Sequence, residues 1–540
     1  MEALNSRRTI NFTNAIHSMS IIHSTNATYS LRQGGHFIRR CLILLPIMML
    51  CWFFSFSTAF SSPAAFSKDK LVQIDEEITQ NMQRFNIPGM AFVLANENGI
   101  VYAKGYGLQG QGGDQPVDAA TNFQIGSISK VFTSLAIMQL RDEGLIQLDA
   151  PVTNYLPWFT TEDTSLSDLI TIHDLLNHTS GLPGRLNTHD VKSSDADTIA
   201  VQIKRKLQKV QLVASPGTTY EYTNMNYDLL QLIIEKVSGQ SFPDYMNHYI
   251  FQPLDMNRTS FSREAGLDNS ATGHRYIWGE LRPFHEQPAF ATLGSAGLAT
   301  NAEDLGAYIS FLLTSSAGVD SSVLRSESLH EMHTAVISDH SIGYGFGWEI
   351  TANTVEKKGG LPGFTANLIV LPGKSYGFAL LANSKQSITD ETNFNIARIL
   401  EGAAPAYLAK DDFPTISLEN KLILYISAFL TLIALLMWLP VVFGPAGKKG
   451  GFCFVKPSLP AVLICFVLNG FVLVSVLYYI YIYVPYESGV PALHRLTTAP
   501  DTVNGLMLLS GAWLSCSLSL ACRSVLRQNK RLNRIKDTKI

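Results

Sequence analysis

The sequence predicts an α+β domain, in which an antiparallel sheet is flanked by helices and joined by an all-helical subdomain, followed by three transmembrane helices. Three observations lead to this prediction. Runs rich in strand-forming residues stand near both ends of the region 68–415, helical periodicity fills its middle, and three uncharged apolar stretches follow it. Turn signals separate the strand runs closely, so the sheet is expected to be antiparallel.

The composition bounds the class of protein. With 540 residues, 46% hydrophobic residues and a net charge of -3, the chain is too long for one domain and too apolar for a purely soluble protein. All six cysteines lie in or beside apolar segments, so the exported domain is predicted to have no disulfide. We see no Cys/His cluster with zinc spacing, no glycine-rich phosphate loop and no basic patch, and therefore expect no metal, no other cofactor and no nucleic-acid partner.

The first part of the chain is predicted to direct export. Residues 41–60 are apolar, follow Arg39 and Arg40, and precede small residues at 61–65. This order is typical of an export signal. We therefore assign residues 1–67 to an N-terminal extension with a signal or signal anchor, and residues 68–415 to an exported domain.

The last part is predicted to be a membrane domain over residues 416–540. Its apolar stretches at about 422–443, 459–484 and 503–522 are each long enough to span a bilayer. Basic residues cluster in the loop after the first stretch and in the tail after the third, whereas the intervening loop carries only Arg495. The positive-inside rule then places the C-terminus in the cytoplasm and the exported domain outside the plasma (inner) membrane, with the bilayer as a partner.

The exported domain is expected to begin with a helix and a hairpin. Apolar residues recur at helical spacing from Lys70 to Phe85. The strand-rich runs 90–95 and 100–106 then flank Asn-Glu-Asn-Gly, which is a tight-turn signal. The hairpin is therefore predicted to supply the first two strands of the sheet.

Ser127 is the candidate nucleophile. If a helix begins near Ser127, Lys130 lies one turn further along the same face, so its amine can reach the hydroxyl. A desolvated lysine near a helix N-terminus can lose its proton and activate a serine. The spacing alone proves little, because Ser67 and Lys70 repeat it in a polar stretch that we predict to be linker.

The middle of the domain supplies a second candidate pair. A short helix is expected within 171–183 and further helices over 195–260. Tyr222 and Asn224 lie among them, and a tyrosine two residues before an asparagine combines a proton-relaying phenol with an amide that binds a carbonyl. Tyr245 and Asn247 share that spacing, but Tyr245 falls on an apolar helical face and is predicted to lie in the core.

From residue 341 the pattern predicts an antiparallel meander, with strands over 343–350, 356–364, 367–371 and 377–383. The second strand carries Lys357 and is expected at an edge of the sheet. The glycines that follow would let a substrate backbone approach closely while the cation meets a carboxylate or polarises a hydroxyl.

Together, Ser127-x-x-Lys130, Tyr222-x-Asn224 and Lys357-x-Gly359 stand in the order and at the separations typical of class C β-lactamases and DD-peptidases. The sequence resembles this family over roughly residues 70–400. The resemblance implies that Ser127 forms an acyl-enzyme. It also implies that Lys130 and Tyr222 share proton transfer and that Asn224 holds the substrate amide.

The resemblance assigns substrate binding to the lysine motif as well. Lys357 would contact a substrate carboxylate or support the tyrosine, in a triplet completed by Gly359. The N–H groups of Ser127 and Gly360 would bind the oxyanion. Lys358 stands where the family has threonine or a small residue, so the triplet could also begin there; the position of the later Gly-Phe pair favours Lys357.

The resemblance implies a serine hydrolase acting on a small peptide or acyl-peptide, and the export signal and apolar stretches predict that it is membrane-bound and extracytoplasmic. We expect a peptidase for D-amino-acid-containing peptides. The architecture is similar to that of prodrug-activating peptidases of nonribosomal-peptide pathways, colibactin-type included, which remove an N-acyl-D-amino-acid cap during export. A β-lactamase and a DD-carboxypeptidase or penicillin-binding protein are alternatives. A β-lactam sensor or binding protein is a third, which the small cytoplasmic segments disfavour. The sequence leaves the oligomeric state open.

Overall fold

The computed structural model describes residues 66–406, with gaps at 111–114, 185, 187, 189–190, 192–194, 262–268, 278–279, 285–288, 340–341 and 385–387, and also residues 425, 429, 432 and 436. The predicted export signal lies outside these residues. So do the predicted spans, except for those four positions in the first one, which are helical and exposed. Among the described residues, no helix combines the length and the apolar character needed to cross a bilayer.

The described helices are α1 (Lys68–Arg84), α2 (Ser129–Asp142), α3 (Thr164–Ser167), α4 (Ile172–Leu176), α5 (Ala196–Leu207), α6 (Asn224–Ser238), α7 (Phe242–Met246), α8 (Leu293–Ala296), α9 (Ala302–Ser316), α10 (Ser326–Met332) and α11 (Ile388–Leu400). The described strands are β1 (Gly89–Asn96), β2 (Gly99–Gly107), β3 (Phe123–Gln124), β4 (Ser260–Phe261), β5 (Gly273–Ile277), β6 (Glu280–Phe284), β7 (Leu298–Thr300), β8 (Ile337–Asp339), β9 (Ile342–Tyr344), β10 (Glu349–Ile350), β11 (Val355–Leu361), β12 (Phe364–Leu371) and β13 (Tyr376–Ala382).

An eight-stranded antiparallel sheet organises the domain, in the order β2-β1-β13-β12-β11-β10-β9-β8. The N-terminal hairpin joins the C-terminal meander through β1 and β13, where Met90 pairs with Ala382. The predictions of a helix from Lys70, of a hairpin after it and of an antiparallel sheet with helices are confirmed. Two smaller antiparallel sheets, β3-β7-β4 and β5-β6, complete the described strands.

The large sheet is covered on both faces because side chains alternate along each strand. On one face, Phe92 of β1 belongs to an apolar cluster that includes Ile78 of α1 and Ile396 of α11. On the other face, Val93 belongs to a larger cluster that includes Tyr308 of α9 and residues of α2 and α6. The helices that carry the candidate site therefore lie on the second face.

Helix α1 begins where the sequence predicts a linker. The Ser67 hydroxyl accepts a hydrogen bond from the backbone N–H of Lys70 (3.4 Å) and caps the helix. The Lys70 amine donates to the carbonyl oxygen of Leu400 (2.7 Å). The second Ser-x-x-Lys match is thus a helix N-terminus, and the prediction of a linker is wrong.

The meander departs from the prediction near the site. The single strand predicted over 343–350 is two strands, β9 and β10, because Gly347 turns the chain with a φ of 86°. Strand β11 lies inside the sheet, which contradicts the predicted edge position. However, the only residues of β11 that pair with β10 are Val355 and Glu356. From Lys357 onward, among the described residues, β11 pairs with one strand of the large sheet, β12.

Candidate active site

Ser127 lies in a 3-10 turn, Gly126–Ile128, between β3 and α2. Gly126 has a φ of 50°, and a Cβ atom there would lie 2.9 Å from the backbone nitrogen of Gly360. Glycine thus permits both the backbone conformation and the close approach to β11. The turn leaves Ser127 partly exposed, immediately before the N-terminus of α2.

Lys130 reaches Ser127 from the first turn of α2, as the sequence predicts. Its side chain is fully buried (0% exposed). The amine nitrogen Nζ lies 3.1 Å from Ser127 Oγ, 2.8 Å from Asn224 Oδ1 and 2.8 Å from the carbonyl oxygen of Ser295. A neutral amine could donate to the last two oxygens and accept the serine proton on its lone pair.

Burial lowers the pKa of Lys130 well below its usual value, and the positive charge of Lys357 adds to this effect. The carboxylate of Asp228 acts in the opposite direction. Because burial disfavours the charged amine, the environment favours the neutral form, which is the form that a general base requires.

Tyr222 is the second group on the serine. Its hydroxyl donates to Ser127 Oγ at 2.9 Å, and the Lys130 and Lys357 amines lie 4.9 Å and 5.3 Å from the centre of its ring. Burial raises the pKa of Tyr222 above its ordinary value. The phenol therefore keeps its proton at neutral pH and acts as a donor.

Asn224 opens α6, immediately after the loop that carries Tyr222. This junction places a phenol and an amide on two sides of the Lys130 amine. The other tyrosine with this spacing, Tyr245, is buried in the core as predicted.

Lys357 lies on β11 with its side chain 1% exposed. Its amine donates to the Tyr344 hydroxyl (3.2 Å) and lies 3.5 Å from a carboxylate oxygen of Glu349. Burial lowers the pKa of Lys357 to about 8, while Glu349 opposes that shift. Lys358 points to the opposite side of the strand and is exposed, so the lysine beside Tyr222 is Lys357.

The glycines of β11 let the strand lie against the turn that holds the serine. A Cβ atom on Gly359 would lie 1.9 Å from the carbonyl oxygen of Ile125, whereas one on Gly360 would meet nothing within 4 Å. The segments that carry the two predicted oxyanion donors, Ser127 and Gly360, are therefore neighbours, with open space beside Gly360.

His178 is a further residue of the candidate site that belongs to none of the three motifs; it lies in the segment 171–183, where the sequence predicts only a short helix. It is buried, has a φ of 59°, and contacts the Tyr222 ring, with ring centres 4.3 Å apart and the ring planes tilted by 41°. Asn226 Nδ2 lies 3.0 Å from His178 Nδ1, an arrangement in which Nδ1 accepts. Burial, together with the charges of Lys130 and Lys357, lowers the pKa of His178 well below 6.5, so the ring is neutral.

The structure brings the five predicted polar side chains together. Lys130 and Tyr222 contact the Ser127 oxygen directly. Asn224 contacts the Lys130 amine, and the Lys357 amine lies beside the Tyr222 ring. Their chemistry suits acyl transfer: a hydroxyl nucleophile, an adjacent buried amine and a protonated phenol. Within the described part of the chain, no group of His, Cys, Asp or Glu side chains is arranged to hold a metal ion.

Comparison with known proteins identifies similar chains. The family model named Beta-lactamase matches residues 74–402. Protein flp of Staphylococcus aureus (strain N315) is 31% identical over 325 residues, which are 59% of this chain and 64% of that protein. Beta-lactamase-like protein 4 of Dictyostelium discoideum is 27% identical over 354 residues, 60% of this chain and 61% of that protein. The chain thus spans less than two thirds of either relative.

Solved structures are similar to the same region. An octameric penicillin-binding protein homologue from Pyrococcus abyssi has a TM-score of 0.55 and 28% identity, over 62% of this chain and 78% of that one. A class C beta-lactamase has a TM-score of 0.54 and 22% identity, over 64% of this chain and 97% of that one. At this identity the second likeness is one of fold.

Proposed function

The chain belongs to the beta-lactamase family, whose members are generally serine hydrolases, and from this we propose that it hydrolyses its substrate through an acyl-enzyme on Ser127. One observation carries the proposal. Ser127 Oγ lies 3.1 Å from the buried Lys130 amine and 2.9 Å from the Tyr222 hydroxyl, so a base and a proton donor both contact the nucleophile.

In the proposed acylation, Ser127 Oγ bonds to the carbonyl carbon of the scissile amide and its proton passes to Lys130. The N–H groups of Ser127 and Gly360 donate to the oxyanion. The proton then passes by way of the Tyr222 hydroxyl to the leaving nitrogen as the C–N bond breaks. A water molecule hydrolyses the ester in the reverse sense, which releases the acid and restores the Ser127 hydroxyl.

We propose a peptide that carries a D-configured residue as the substrate, with an N-acyl-D-amino-acid prodrug as one such case. Support comes from the family membership and from the pair Lys357-Lys358 on β11, because a basic strand beside the serine suits a carboxylate or polar amide. The three apolar stretches beyond residue 416 suggest that a lipid-like acyl chain can be held near the bilayer.

We further propose that the domain acts outside the plasma membrane, with the C-terminus inside. The distribution of basic residues around the apolar stretches supports this orientation. An alkaline phosphatase fusion after residue 415 should be active and one at the C-terminus inactive. The reverse pattern would overturn the orientation.

Active-site labelling tests the acyl-enzyme. A fluorophosphonate probe should attach to Ser127, and Ser127→Ala should lose the label completely. Ser67→Ala is the matched control, because Ser67 has the same spacing to a lysine at a helix N-terminus and should keep full labelling. Labelling of Ser127→Ala to the wild-type extent would refute the assignment.

Kinetics on three substrates tests the substrate class. The kcat/KM values for an N-acyl-D-asparaginyl amide, a D-Ala-D-Ala peptide and a chromogenic cephalosporin should be highest for the first. A preference of about ten-fold for the cephalosporin, or about 1.4 kcal/mol of transition-state stabilisation, would make the peptidase proposal wrong. A single stoichiometric burst without turnover on every substrate would favour a sensor.

A further inference from the structure

Helix α6 directs a second polar side chain towards Lys130. Asp228 lies one turn after Asn224 and is fully buried (0% exposed). Its Oδ2 atom accepts a hydrogen bond from the Thr188 hydroxyl at 2.6 Å. Its Oδ1 atom makes no hydrogen bond to any residue that the structure describes.

A buried carboxylate with an unbonded oxygen is costly unless an opposite charge lies nearby. Lys130 provides that charge: Asn224, one turn before Asp228 on the same face of α6, accepts from the Lys130 amine at 2.8 Å, and the charges of Lys130 and Asp228 shift each other's pKa. Ser295 is near both groups, because its carbonyl oxygen accepts from the Lys130 amine at 2.8 Å and its side chain lowers the pKa of the Asp228 carboxyl. The Ser295 hydroxyl itself donates to the carbonyl oxygen of Thr292 at 3.3 Å. The carboxylate is thus built into the immediate surroundings of the proposed base, although it does not contact the serine.

We propose that Asp228 is a positioning residue for the acyl-transfer reaction, whose carboxylate acts as the counter-charge of the Lys130 ammonium and sets the pH at which that amine becomes free to take the serine proton. This inference rests on the function proposed above and adds a residue to its machinery. The Thr188 hydroxyl, which donates to the carboxylate, holds it in place.

None of the other charged and titratable groups named around Lys130 supplies a negative charge to its ammonium. Lys357 lowers the pKa of Lys130, His178 is neutral, and burial raises the pKa values of Tyr222 and Tyr227, so both phenols stay protonated. Glu349 lies beside Lys357 instead. Burial raises the pKa of Asp228 to about 7, against the opposing effects of Ser295, Thr188 and Lys130. The carboxyl therefore changes its charge near neutral pH, close to an amine whose own pKa burial lowers.

The pH dependence of acylation tests the proposal. The second-order rate of labelling by a fluorophosphonate should rise with pH as Lys130 loses its proton, which defines an acidic limb. Asp228→Asn removes the counter-charge, so the ammonium is less stable and the limb should move to lower pH by about one unit. Thr188→Val removes the hydrogen bond that favours the charged carboxylate, and should move the limb in the same direction by less.

Asp304→Asn is the matched control. Asp304 is also buried (6% exposed) and its Oδ2 also accepts from a threonine hydroxyl, that of Thr259 at 2.7 Å, but it lies outside the site. This variant should lose stability and keep the wild-type limb. Equal shifts in the Asp304 and Asp228 variants would overturn the proposal.

The remaining outcomes separate the two proposals. If the wild type is labelled on Ser127 but neither Asp228→Asn nor Thr188→Val moves the limb, Asp228 is not the counter-charge and the acyl-enzyme stands. If the wild type is not labelled, the proposed function fails and this inference falls with it. Should Asp228→Asn fail to fold, the limb of Thr188→Val decides.

Discussion

Two segments of this chain share the pattern Ser-x-x-Lys at the beginning of a helix, yet the serine and the lysine differ in burial and in hydrogen-bond partners between the two. At Ser67 the serine is exposed, caps α1 through its own hydroxyl, and leaves the lysine amine to bond a carbonyl elsewhere. At Ser127 the lysine is buried and its amine points at the serine oxygen.

The difference shows that reactivity comes from what packs over the motif. Around Lys130, α6, α8 and β11 exclude water, and this burial together with the charge of Lys357 lowers the pKa of the amine. Helices α6 and α8 also supply the amide oxygen and the carbonyl oxygen that orient it. Around Ser67, the serine stays in water and the helix N-terminus serves only to begin α1. The same local geometry therefore yields a cap in one place and a candidate nucleophile in the other.

Replacement of each lysine by methionine should give the largest difference in acylation rate. Lys130→Met removes the proposed base, so the rate of fluorophosphonate acylation should fall by about a thousand-fold or more. Lys70→Met leaves the site untouched and should keep the wild-type rate. Labelling time courses measure both, and similar losses in the two variants would mean that burial does not distinguish the motifs.

The next largest effect concerns β11, which packs against the Ser127 turn, and is measured as a change in the free energy of unfolding. In Gly359→Ala the new Cβ atom would collide with the Ile125 carbonyl oxygen, so the free energy of unfolding should fall by about 1–3 kcal/mol. Gly360→Ala on the same strand meets no atom and should change it by less than about 0.5 kcal/mol. Urea denaturation compares the two variants. Equal stabilities would show that β11 is not in close contact with the Ser127 turn.

The smallest effect concerns how the free energy of unfolding depends on pH, because His178 is buried near Ser127. The native state holds His178 neutral, whereas the unfolded chain protonates it below about pH 6.5. The unfolded state then binds more protons, so stability should fall as the pH decreases below that value, by up to about 1.4 kcal/mol per pH unit from this residue. His178→Asn keeps an acceptor and tolerates the positive φ, and should make the decline shallower. An unchanged slope in denaturation at several pH values would contradict this account.

Periodicity and turn signals suffice to predict the elements that do not depend on distant contacts. The helix from Lys70 and the hairpin after it lie within about two residues of their predicted bounds, and Lys130 faces Ser127 as one helical turn requires. The linker prediction at Ser67 failed because a polar capping residue and a loop residue look alike in sequence. The single strand predicted over 343–350 failed at Gly347, whose positive φ turns the chain.

The surroundings of the motifs could not be predicted in this way. The Ser295 carbonyl that bonds Lys130 is a backbone atom, which any residue type would supply. Asp228 falls on a helix whose apolar pattern gives no sign that one turn faces a buried amine. Glu349 reaches Lys357 because a turn brings β10 beside β11, a pairing that a single sequence does not specify. Each of these contacts depends on the tertiary fold.

The pairing of β1 with β13 also constrains how the chain can reach its native state. The centre of the sheet forms only when Met90 pairs with Ala382, which lies far along the sequence. Such a contact raises the contact order, so this loop closes late in folding. A nascent chain that ends before Tyr376 has β1 and β12 without the strand that lies between them. Folding of this sheet therefore follows synthesis of almost the whole domain. The β1-β2 hairpin is made first among the strands and lacks its partner strand, β13, for the longest time.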